Sequence, residues 1–202
     1  MFFLLHRERS CFFILLLLVI SGIMQDASIA LGEAEYVGAE GCKCHRAEFL
    51  DWDRSKHARA FDLLSPGKRK YAKKKAGLDP ERDYSKSPKC LKCHVVGFGE
   101  PGGFLDMAST PSMAGVGCES CHGAGGNYRI IHGKRPLAFT KEEVKAAGQI
   151  YSSEDASVCT KCHGHKDSPF RRHIDAKYDF DYAAGLLKPD TFHNYYELKK
   201  VH

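Results

Sequence analysis

Cys90-Leu91-Lys92-Cys93-His94, Cys118-Glu119-Ser120-Cys121-His122 and Cys159-Thr160-Lys161-Cys162-His163 repeat one five-residue pattern at irregular spacing. Two cysteines three positions apart can each form a thioether to one of the two vinyl groups of a haem. The histidine that follows then lies under the ring and can donate a nitrogen to the iron. One such motif would fit a zinc site or a redox dithiol as well. Three in a chain of this length point to c-type haem.

A fourth copy is altered. Gly41-Cys42-Lys43-Cys44-His45 ends in Cys44-His45 as a haem motif should, but Gly41 holds the first cysteine position and Cys42 stands one residue too close. Three arrangements stay open: haem held by Cys44 alone with His45 as ligand and Cys42 free, a strained attachment through both Cys42 and Cys44, or no covalent haem. A fourth haem is the favoured reading, so four haems are expected, three of them from complete motifs.

The cysteines and the N-terminus set the compartment. His6, Arg7 and Arg9 give a short basic start, Cys11 to Met24 is almost entirely apolar, and Ser28-Ile29-Ala30 offers small residues for cleavage. That is the layout of a secretory signal over residues 1–30, with residues 31–202 forming one working domain. The apolar run is shorter than the roughly 20 residues a spanning helix needs, and no other stretch could cross a bilayer, so no stable membrane insertion is expected after cleavage. The protein is expected in the periplasm or outside the cell. Its eight remaining cysteines would suggest disulfides in an exported chain, but all belong to the four haem-type motifs.

The formal charge of +5 does not point to nucleic acid. Eight propionates from four haems would bring the loaded protein to about +1 oxidised and about −3 reduced. The run Lys68, Arg69, Lys70, Lys73, Lys74 and Lys75 reads as a solvated helix face more readily than as a docking patch.

The fold class expected is mainly α, a single domain with little sheet whose helices and loops wrap packed haems. Tyr36 to Leu64 reads as helical, Gly67 to Ala76 as a second short helix, and Gly97 to Gly117 as turns. Thr140 with Glu143 forms a capping box for a helix to about Ala147, and Asp190 can start a last helix through His193, Tyr196 and Leu198. The scattered apolar side chains are too few for a conventional core, a role the macrocycles would fill. For the second axial position the sequence offers His57, His132, His165, His173, His193 and His202, against Met107 and Met113 after residue 30. Bis-His ligation is therefore the majority reading.

Several stretches outside the haem motifs carry a resemblance: WDRSKHARAF from Trp52 to Phe61, LDPERDY from Leu78 to Tyr84, CHVVGFGEPGGF from Cys93 to Phe104, GVGCESCHG from Gly115 to Gly123, and DAKY from Asp175 to Tyr178. In these the chain resembles the tetrahaem cytochrome c-554 family. The resemblance implies a largely helical fold with closely packed haem pairs. It implies distal ligands His57, His132 and His193, paired as His45 with His132, His122 with His193, and His163 with His57. It leaves the haem of Cys90, Cys93 and His94 open, with Phe170 covering that face. The intact first motif of the family is altered here, and His173 lies three residues from Phe170, where it could close the open iron.

Electron transfer between redox proteins is the leading expectation, and the resemblance implies an octahaem hydroxylamine-oxidoreductase-like partner. Two other readings stand beside it. One is reduction of a small ligand such as nitric oxide at the open haem of His94. The other is a self-associated subunit of an extracellular cytochrome filament.

Overall fold

Short helices dominate wherever the sequence spaces its cysteines and histidines one turn apart. The computed structural model describes residues 32–134, 138–188 and 191–196. The chain divides into two units, Met1–Gly32 and Glu33–His202, and the elements below all belong to the second. The expected signal segment 1–30 lies outside the described residues, as do Asp190, Leu198 and His202. Among the described residues no helix is long and apolar enough to cross a membrane.

The helices are α1 (Arg46–Asp53), α2 (Lys70–Lys75), α3 (Pro88–His94), α4 (Cys118–His122), α5 (Tyr128–Lys134), α6 (Lys141–Ala146), α7 (Ser157–Thr160) and α8 (Tyr182–Leu186). Sheet pairing among the described residues is confined to a single antiparallel bridge between Val95 and Ala114. The fold is thus mainly α, as the sequence suggests.

Local chemistry explains the boundaries. Pro88 opens α3 at a position where its missing N–H costs nothing. The Thr140–Glu143 capping box forms in both directions, and α6 stops at Ala146 with Gly148 at φ 98° just beyond. An Asp181 carboxylate accepting from the Ala184 N–H at 2.8 Å starts α8. The span 36–64 is not one helix. It breaks into a 3-10 turn at Ala39–Cys42, α1, and a second 3-10 turn at Phe61–Leu64. The buried Ser55 accounts for the break after α1, since its Oγ takes the Ala58 N–H at 3.2 Å in place of a helical carbonyl. A helix through His193 and Tyr196 does not form either. Residues 193–196 are non-helical, because the Asn194 N–H bonds the Asp51 carboxylate rather than a carbonyl one turn back.

Apolar packing falls into two small clusters. Leu64, Tyr84, Leu91, Val95, Val96, Phe104 and Met113 form one; Tyr128, Val144 and Ala147 form the other. No histidine belongs to either cluster. Between them the backbone approaches itself closely at Gly115 (φ 87°), where a Cβ would stand 2.3 Å from the Ala58 carbonyl oxygen. This close pass lets the Val116 N–H bond the His57 carbonyl at 2.9 Å and the Gly115 N–H bond the His94 carbonyl at 3.0 Å. Three haem-type segments are thereby tied together by backbone alone.

Candidate cofactor centres

In the three complete motifs one helical turn does the positioning. Cys90, Cys93 and His94 lie on α3, and Cys118, Cys121 and His122 on α4. Cys159 begins a turn in which the His163 N–H returns to its carbonyl at 2.9 Å. Residues three and four apart share a helix face, so each motif presents two thiols and an imidazole to one side. The altered motif is built differently. Cys42 ends a 3-10 turn, and His45 precedes α1 with non-helical backbone.

The imidazoles are oriented by backbone carbonyls. His94 Nδ1 lies 2.6 Å from the Ala60 oxygen, and His122 Nδ1 lies 3.3 Å from the Ile150 oxygen. A carbonyl can only accept, so each Nδ1 carries its proton and Nε2 keeps a lone pair for a metal. Burial pushes the pKa of His57, His94, His122, His132 and His163 down, with His163 adding to the effect at His57. They are held neutral, the state in which imidazole ligates.

Three histidine pairs face one another. Ring centres are 6.0 Å apart for His45 and His132, 6.0 Å for His57 and His163, and 6.3 Å for His122 and His193. Two imidazoles on opposite sides of one metal, each bonded at about 2.0–2.1 Å with its centre about 1 Å further on, stand roughly 6 Å apart. The spacing fits an iron between each pair and leaves no room for a side chain there. His57 Nδ1 is also buried without a hydrogen-bond partner, an orphan polar atom that suits an axial ligand. Among the described residues His94 has no ring contact with another histidine.

The motifs also touch one another. Cys42 lies beside Cys118, and Cys93 beside Cys162. Lys161, inside the last motif, donates to the Ser120 carbonyl inside the third at 2.6 Å. The adjacent Cys42 and Cys93 sulfurs, together with burial, push the Cys118 and Cys162 thiols up. The four motifs therefore adjoin in the order first, third, fourth, second.

The remaining histidine and methionine candidates go elsewhere. His165 Nδ1 accepts the Asp167 N–H at 3.1 Å, and His173 is exposed. Met107 is exposed and Met113 is spent on apolar packing. Phe170 stacks at 5.3 Å on Tyr178. Of the basic run, Lys73 is buried and donates to the Ser65 carbonyl at 2.8 Å, and Lys70 pairs with Glu81 at 2.7 Å.

Two carboxylates escaped the sequence reading. Glu119, 2 % exposed inside the third motif, accepts the N–H groups of Val37, Gly38 and Gly125. Asp51 accepts from Asn194 and Tyr196 beside His193. Motif patterns treat such positions as variable, so nothing in the spacing marks them.

Thiol pairs followed by neutral imidazoles, with further imidazoles set opposite at metal-spanning distance, define a c-type cytochrome. The family described as cytochrome c554 and c-prime matches residues 41–123. Cytochrome c-554 of Nitrosomonas europaea is 35% identical over 188 residues, covering 84% of this chain and 79% of the relative. A solved structure of the reduced state of cytochrome c554 from that organism matches with a TM-score of 0.74 and 35% identity, over 83% of this chain and 89% of the other. The chain belongs to the cytochrome c-554 family: it binds c-type haem and transfers electrons.

Proposed function

We propose that this protein is an exported tetrahaem carrier, with residues 1–30 as its signal and 31–202 as one haem-bearing domain, passing electrons between redox proteins in the periplasm or outside the cell. The three facing histidine pairs carry the reading. His45 with His132, His122 with His193, and His163 with His57 would hold three of the irons. His94 would hold the fourth, and Phe170 is the residue that the family resemblance puts over its open face. Haem c bound at these sites supplies one-electron iron couples, and bis-His ligation sets them low. The polypeptide supplies thiols for attachment, neutral imidazoles, and cross-links that keep neighbouring sites in register. An octahaem hydroxylamine-oxidoreductase-like enzyme is the partner class that the family resemblance implies.

At the first site, Cys44 carries the attachment. A Cβ at Gly41 would already meet Val37 Cγ2 at 2.7 Å, so Val37 occupies the space of the usual first cysteine. Cys42 points to the Gly38 carbonyl and to Cys118, while Cys44 is exposed.

Total haem assay with quantitative low-temperature EPR on the oxidised protein tests the proposal. Four haems with about one high-spin ferric centre among them are expected. Three haems, or no low-spin majority, would overturn it. A second reading, small-ligand binding at His94, is favoured by one observation: no histidine faces that ring among the described residues.

A further inference from the structure

His193 stands in non-helical backbone, residues 193–196, yet its ring lies 6.3 Å from His122. Its Nδ1 donates to the Asn194 carbonyl at 2.7 Å, so the orientation of the imidazole follows the placement of Asn194. That residue is held from outside its own segment. Asp51 Oδ2 accepts the Asn194 N–H at 3.3 Å, the Asn194 Nδ2 at 2.9 Å and the Tyr196 hydroxyl at 2.7 Å. Its other oxygen takes the Arg54 guanidinium at 3.0 Å. The Asp51 side chain is 17% exposed, which shelters these charge-assisted bonds from full solvent competition.

The residue beside Asp51 serves the opposite side of the same axis. Trp52 Nε1 donates at 2.8 Å to the Val116 carbonyl, two positions before Cys118. Helix α1 thus grips the distal segment through Asp51 and the approach to the proximal motif through Trp52. It starts directly after His45, the proximal histidine of the neighbouring site.

We propose that Asp51 is a positioning residue for His193, and that α1 is a clamp keeping that imidazole opposite His122. The proposal rests on the reading of His193 as an axial ligand. Without the carboxylate, three donors lose their common acceptor. The distal position of that one centre then becomes open to an added ligand.

Carbon monoxide titration of the dithionite-reduced, fully haem-loaded protein counts open positions spectroscopically. His193→Ala is expected to bind about one more CO per protein than the unaltered chain. Asp51→Ala should show a gain in the same direction, restored by Asp51→Glu. The paired change Asn194→Ala with Tyr196→Phe removes the partners from the exposed side and should reproduce the gain, which covers the case in which Asp51→Ala does not fold. A gain for His193→Ala with none for Asp51→Ala or the paired variant would overturn the clamp while sparing the ligand assignment. No gain for His193→Ala would overturn the ligand assignment itself. A purely structural Asp51 would lower the melting temperature of its variants without changing the CO count.

Discussion

Replacing Glu119 by alanine removes the acceptor that joins the N-terminal segment to the third haem motif. Its two oxygens receive Val37 N–H at 2.9 and 3.1 Å, Gly38 N–H at 2.7 Å and Gly125 N–H at 2.7 Å. The side chain is 2 % exposed, so water cannot simply replace it. Three buried N–H groups left without an acceptor cost about 1–3 kcal/mol each, and part of that is recovered by relaxation and water entry. Stripping one partner from a buried charged network costs about 3–5 kcal/mol, which brackets the same answer. The expected loss is therefore about 4 kcal/mol, or roughly 8–16 °C in melting temperature for a domain of this size. Glu119→Gln keeps one acceptor oxygen but turns an amide donor toward an N–H, so it should recover only part. Urea unfolding of the haem-loaded protein by far-ultraviolet circular dichroism measures this through a shift in midpoint at constant slope. A loss under about 1 kcal/mol for the alanine variant would refute the reasoning, because a surface carboxylate gives that much.

At the altered motif, Cys44→Ser should abolish covalent haem on the peptide containing His45, whereas Cys42→Ser should leave it in place. Mass spectrometry of the haem peptides distinguishes the two, and haem retained only when both cysteines are present would contradict attachment by Cys44. For Asp51, the Tyr196 hydroxyl first and then Asn194 hold the carboxyl down at about 2, against 3.8 for the ordinary group. A depressed folded-state pKa gives a contribution that is complete above the unfolded value and lost as pH falls through the folded one. The difference in melting temperature between the unaltered chain and Asp51→Asn should therefore be constant above about pH 4 and shrink toward pH 2. A difference that persists unchanged to pH 2 would show that the charge is not what the latch uses.

What the sequence made legible was chemistry with a fixed period. The three complete motifs place thiol, thiol and imidazole on one turn because their spacing is a helical spacing, and α3 and α4 follow from it. The Thr140–Glu143 box is equally local, so it reads directly. The distal histidines are a different matter. His57, His132 and His193 meet their partners across 106, 87 and 71 positions of chain, and spacing alone could not choose them from His165 or His173. The resemblance to a family supplied the pairing, and the ring distances agree with it. The expected last helix does not form at 193–196, because Asn194 and Tyr196 look like ordinary helical residues until Asp51, far away in sequence, claims them. Val37 filling the place beside Gly41 was invisible for the same reason.

The described helices run from four to eight residues, well below the roughly 12–15 at which an isolated helix holds its shape in water. His132 packs on Tyr128 and Phe139 of the second apolar cluster, and His163 stacks on Phe180 at 4.4 Å, so aromatic contacts set part of the placement of these rings. Long-range polar ties add to it. Glu119 joins residues 37–38 to the third motif, Lys161 joins the fourth motif to Ser120, and Asp51 and Trp52 join α1 to both flanks of the His122 centre. Each tie joins stretches far apart in sequence, and Lys161 to Ser120 links two motifs directly. A carrier gains from this arrangement, because electron exchange favours ligands that move little between oxidation states. Fixing those ligands through their neighbours, rather than through the imidazoles themselves, leaves the ring nitrogens free for iron.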